Sequence, residues 1–129
     1  MAPSEFWLGG AACAVLLLAS APAEAHHAIG AVVDLDTEVV STMTLTRIDW
    51  INPHSWFHFT MKAANGKILP DVMIEWASLA GMRQNGFNSA AIFPIGDSYT
   101  VTYNPNRNNS PGGHMVKMVD NVDGEEFDY

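Results

Sequence analysis

From Thr42 to Val119 the sequence is a succession of short β-rich runs cut by turn residues, and this pattern constrains the fold more than any other feature. Thr42–Trp50 places Thr42, Thr44, Thr46, Ile48 and Trp50 on one parity, the alternation of a strand with two unlike faces. Asn52-Pro53 ends that run, because proline cannot donate to a ladder. Trp56–Met61 sets Phe57, Phe59 and Met61 on one face against Trp56, His58 and Thr60 on the other. Ala64-Asn65-Gly66-Lys67 is a hairpin turn signal. Ile68–Trp76 is a third strand, and Pro70 inside it marks a bulge or an edge. Ser78–Gln84 is a short helix that Ser78 caps and Gly86, after Asn85, ends. The turn Pro94-Ile95-Gly96-Asp97 leads into a strand over Ser98–Tyr103, and a polar loop, Asn104–Gly113, leads into the last strand, His114–Val119.

The order strand-strand-strand-helix-strand-strand predicts an all-β domain with one short helix, a small five-stranded barrel of the oligonucleotide/oligosaccharide-binding (OB) type. An open β-sandwich with one helical turn is the alternative. His26–Asp36 reads as an extended lead-in. The single domain spans 26–119, and the last ten residues, 120–129, carry five acids and read as a solvated or loosely docked tail.

Residues 1–25 read as a secretory signal. Phe6–Ala21 is an apolar run, and Ala23-Glu24-Ala25 matches the small-x-small pattern ahead of a cleavage before His26. No Lys or Arg precedes the run, and Glu5 stands there instead. The rival reading, an uncleaved anchor, meets an apolar stretch short for a hydrocarbon core of about 30 Å. Cleavage predicts a periplasmic or secreted protein with no stable membrane insertion. It also removes Cys13, the only cysteine, so the mature chain has neither disulfide nor thiol chemistry.

Of the 129 residues, 14 are acidic and 6 are Lys or Arg, for a net charge of −8. That balance argues against a nucleic-acid partner, which needs a basic stripe, and against an anionic membrane surface. No P-loop, dinucleotide-binding glycine pattern or nucleophile elbow is present. Glu75, in an apolar strand beside Trp76, is a candidate buried carboxylate; pairing with Arg47 or Arg83 is its expected fate, since buried charges are paired. Trp50, Trp56 and Trp76 are candidate ligand-stacking residues, with core packing as the alternative.

The histidines carry what chemistry there is. All five, His26, His27, His54, His58 and His114, lie beyond the cleavage point. A mature His26 would present its α-amine and its ring Nδ1 together, a nitrogen chelate suited to copper, nickel or zinc. With a third nitrogen from another histidine it resembles the histidine brace of copper proteins. His54, on the turn Asn52-Pro53-His54-Ser55-Trp56, is the expected third ligand, with His27 or His58 assisting. His54 and His58 are alternatives, since four strand residues separate them by roughly 13 Å at about 3.3 Å each. The plainer account makes His54 a turn residue bonded to a backbone carbonyl, His58 a satisfied barrel histidine, and His114 a surface strand residue.

His26-His27-Ala28 at the mature start, Asp49-Trp50, Asn52-Pro53-His54-Ser55-Trp56, Asn65-Gly66-Lys67, Glu75-Trp76 and Pro94-Ile95-Gly96-Asp97 together resemble an uncharacterised bacterial family of small secreted proteins, known chiefly as a domain of unknown function. The resemblance runs from His26 to about Val119. It implies export and a small β-barrel, and no established activity. The lone basic residue Arg83 within Ser78–Gln84 and the acidic tail depart from the family pattern. Three functions follow from the sequence: an exported metal-binding protein, copper first; a non-catalytic module docking an envelope protein or a small ligand; and, third, a small metal-dependent enzyme.

Overall fold

A computed structural model of the chain describes residues 29–129. Six strands follow one another: β1 Val39–Asp49, β2 Trp56–Lys62, β3 Ile68–Glu75, β4 Ser98–Pro105, β5 Gly112–Asp120 and β6 Glu126–Asp128. Two short helices complete the set, α1 Ile29–Val32 and α2 Leu79–Gln84, with a 3-10 turn at Ala90–Ile92. The sheet order is β3-β2-β1-β4-β5-β6, and β3 also pairs with β5. That last pairing closes β1, β2, β3, β5 and β4 into a five-stranded barrel with β6 appended, the ring expected of an OB-type barrel. α2 connects β3 to β4, as the sequence predicts, and the Ser78 hydroxyl accepts from Gly81 N at its start.

The closure is a parallel ladder of Met73, Ile74 and Glu75 against Gly112, Gly113 and His114. Gly112 permits the close approach of β3, and Gly113 that of β4 on the other side of β5. A Cβ on Gly112 would stand 2.1 Å from the Met73 carbonyl oxygen, and Gly112 adopts a φ of +99°. A Cβ on Gly113 would stand 1.8 Å from the carbonyl oxygen of Asn104.

Phe57, Phe59, Val72, Ile74, Val101 and Met118 point inward and are fully buried. Trp76, Phe87, Phe93 and Phe127 form an aromatic cluster at one end, with Phe93 and Phe127 centroids 4.8 Å apart. β1 departs from simple alternation. Its core residues are Met43 and Leu45, not the Thr parity, and a bulge at Thr46 shifts the register between Leu45 and Arg47. Beyond the bulge Ile48 turns to the core while Arg47 and Asp49 face out. The bulge anticipated at Pro70 is also present: Phe59 pairs with Val72 but Met61 pairs with Leu69, so Thr60 faces two residues, Pro70 and Asp71.

Two segments differ from expectation. The described part of the lead-in is not plainly extended: α1 forms, and Val33 then bridges Asn106, fixed by bonds from Asp34 N to Pro105 O and from Arg107 N to Val32 O. The acidic tail is docked. Phe127 is buried, and β6 pairs with Lys117–Val119 of β5; one buried aromatic ring outweighs the charges around it, of which Asp123, Glu125, Glu126 and Asp128 remain at the surface while Asp120 is buried. Among the described residues no helix is long and apolar enough to cross a membrane.

Candidate functional site

The turn between β1 and β2 is held against the end of β3. Ser55 N and Oγ both donate to Ala77 O at 2.9 Å, Trp76 N donates to Ser55 O at 2.9 Å, and Asn52 Oδ1 accepts from Leu79 N at the start of α2. Ser55 is fully buried, so the turn is pinned, and the Asn52–Pro53 peptide within it is cis. Pinning sets His54 beside Glu75. His54 Nδ1 contacts Glu75 Oε1, with the imidazole 40% exposed and the carboxylate 17% exposed. Glu75 therefore pairs with a histidine, not with Arg47 or Arg83. Arg47 is held elsewhere, by Asp49 at 3.1 Å.

Glu75 also occupies the closing ladder, in register with Trp56 of β2 on one side and His114 of β5 on the other. Their neighbours Phe57, Ile74, Trp76 and Met115 are core residues, so by the strand period of two all three belong to the outer face. His54, Glu75 and His114 thus gather on one ledge where β2, β3 and β5 meet, with Trp56 beside them. Burial holds the His114 imidazole below its ordinary range; the Glu75 carboxylate opposes that shift and His54 reinforces it. Among the described residues no three His, Cys, Asp or Glu side chains already converge in a group that could hold a metal ion.

His58 is a separate cluster. Its ring is 2% exposed, with Nδ1 2.7 Å from Asp71 Oδ1 and Nε2 2.9 Å from Asp49 Oδ2, and Arg47 Nη2 lies 3.0 Å from Nε2. The two bulges that flank β2 assemble it: the one at Thr46 turns Arg47 and Asp49 outward beside His58, and the one at Pro70 brings Asp71 across. Both ring nitrogens are engaged, so His58 is a satisfied structural histidine with no lone pair open to a ligand from solvent. Sequence reasoning missed Asp49 and Asp71 as its partners; Pro70 signalled the bulge, but not its consequence for Asp71.

Of the aromatic candidates, Trp76 is buried at the centre of the aromatic cluster and offers no ligand face; its Nε1 has no hydrogen-bond partner among the described residues. Trp50 packs on Phe93 with centroids 6.2 Å apart. Trp56, half-buried beside Glu75, is the candidate that stays on the outer face. His26 and His27, and the whole signal segment, lie outside the described residues.

A family model described as a family of unknown function, DUF6152, matches residues 14–115. The chain belongs to the DUF6152 family. The matched span of this DUF6152 protein includes His54, His58, Glu75 and His114, and it ends within β5, ahead of the docked tail. No curated protein and no solved structure matches the chain. The family has no assigned activity, so a functional reading rests on the residues.

Proposed function

We propose that this DUF6152 protein is exported and serves in the periplasm, or outside the cell, as a small binding protein for a divalent transition metal, copper first. The metal is taken at the barrel rim by His54 together with the α-amine and ring of a mature His26. One observation carries the reading. Glu75 occupies Nδ1 of His54, and Nε2 has no hydrogen-bond partner among the described residues. Ligating histidines have this arrangement: a carboxylate takes the proton-bearing nitrogen and leaves the other for the metal. Imidazole and amine nitrogens then favour Cu(II) over its neighbours in the first row. His27 stands next to the chelating residue and assists.

Intact mass of the exported protein, followed by Cu(II) titration of the same sample, tests this. A chain beginning at His26 that binds one copper tightly, and loses that affinity when a single residue precedes His26, is the expected result. Unchanged affinity in the extended chain removes the amine from the ligand set. A different N-terminus with only weak copper binding overturns the metal reading and leaves a module for a protein partner or small ligand.

A further inference from the structure

The ledge at the barrel closure holds a second imidazole that neither the turn motif nor the N-terminus accounts for. His114 reaches it because β5 closes on β3 there, in register with Glu75, the residue that already contacts His54. Two histidines 60 positions apart in the sequence therefore flank one carboxylate. Its Oε1 contacts His54 Nδ1. Trp56 stands in register on the far side of Glu75 and gives the ledge an apolar margin.

Resting on the metal reading above, we propose that His114 is a second side-chain ligand of the same site and that Glu75 is a positioning residue rather than a ligand. The site is then a two-imidazole seat at the junction of β2, β3 and β5 for Cu(II), or more weakly Ni(II) or Zn(II). Two nitrogen donors and one orienting carboxylate suit a late first-row ion better than Ca(II) or Mg(II), which take oxygen ligands. Trp56, in register with Glu75, is the indole beside the seat.

The test is Cu(II) binding to the exported protein and to its H114A, E75A, E75Q and H54A variants, read by titration, by electron paramagnetic resonance and by quenching of tryptophan fluorescence. Removing an orienting carboxylate costs roughly 10–100-fold in affinity. E75A is expected to lose that much while keeping the wild-type count of coordinated nitrogens. E75Q, whose side-chain oxygen still accepts from Nδ1, is expected to recover much of the loss. H114A is expected to lose at least as much and to show one coordinated nitrogen fewer. Trp56→Phe is expected to remove most of the copper-dependent quenching. Circular dichroism of each variant separates misfolding from lost binding, and His114→Gln replaces H114A if the alanine variant fails to fold. Wild-type affinity and an unchanged spectrum in a folded His114 variant overturn this assignment while the His26–His54 reading stands. No stoichiometric copper in the wild type overturns both.

Discussion

Replacing Phe127 by alanine tests whether the acidic tail is part of the domain. The ring is 2% exposed and lies 4.8 Å from Phe93 and 5.9 Å from Phe87 between centroids. Truncating a core phenylalanine costs about 3–5 kcal/mol. β6 is three residues long and forms the edge of the sheet, so the site can partly collapse and the lower end, about 3 kcal/mol, applies. For a domain of roughly 100 residues each kcal/mol moves Tm by about 4–8 °C, so F127A is expected to melt some 12–24 °C below the wild type. Thermal and urea unfolding followed by circular dichroism and tryptophan fluorescence would measure it, with an unchanged urea slope expected if only stability has moved. Glu126→Ala is the matched control. Its carboxylate sits 3.6 Å from Lys117 Nζ in a pair that is largely exposed, and such pairs contribute at most about 1 kcal/mol. An F127A protein melting within about 3 °C of the wild type would mean that Phe127 does not complete the aromatic cluster.

Three further outcomes follow from the packing and the charges. His58→Ala leaves Asp49 and Asp71 facing each other without their shared partner. With those carboxylates 35% and 58% exposed, the expected loss in urea unfolding is about 2 kcal/mol, below the 3–5 kcal/mol of a fully buried pair. Gly113→Ala puts a Cβ 1.8 Å from a backbone oxygen, and no soluble, cooperatively melting protein is expected from it. Burial and the carboxylates of Asp120 and Asp123 hold Asp97 above its ordinary range, so the ionised form is disfavoured in the fold. Asp97→Asn should therefore raise Tm at pH 7, and the gain should vanish as pH falls below the ordinary carboxylate value of 3.8, where both folded and unfolded chains are protonated.

Local signals were enough to place most elements. The alternation of Phe57 and Phe59 with Trp56 and His58 located β2 and its inner face, and Ser78 located the start of α2. β1 was harder. Its β-branched residues Thr42, Thr44 and Thr46 form the regular series, yet the core takes Met43 and Leu45, and the bulge at Thr46 then reverses which parity faces inward. A one-residue shift of this kind leaves no mark in composition. The same limit governs the site. His54 stood out because a turn motif surrounds it, but its contact with Glu75 depends on the pinned turn, and the place of His114 depends on a ladder between strands about 40 residues apart. The docking of β6 was hidden by five acids around one phenylalanine, because net charge reports the outer face of a strand and not the inner one.

The closing ladder has a consequence for how the barrel breathes. It spans three residue pairs, where β1–β2 and β4–β5 span six and seven, and parallel pairing is slightly weaker per residue than antiparallel. Local opening proceeds from the least protected elements, so the amides of Met73–Glu75 and Gly112–His114 are where deuterium should enter the barrel first. A metal bridging His54 and His114 would span the closure from outside, as a clasp across a hoop. Its arrival would then be recorded as slowed exchange at backbone amides that never touch it, and the apo protein would spend a larger share of its time with the hoop unclasped.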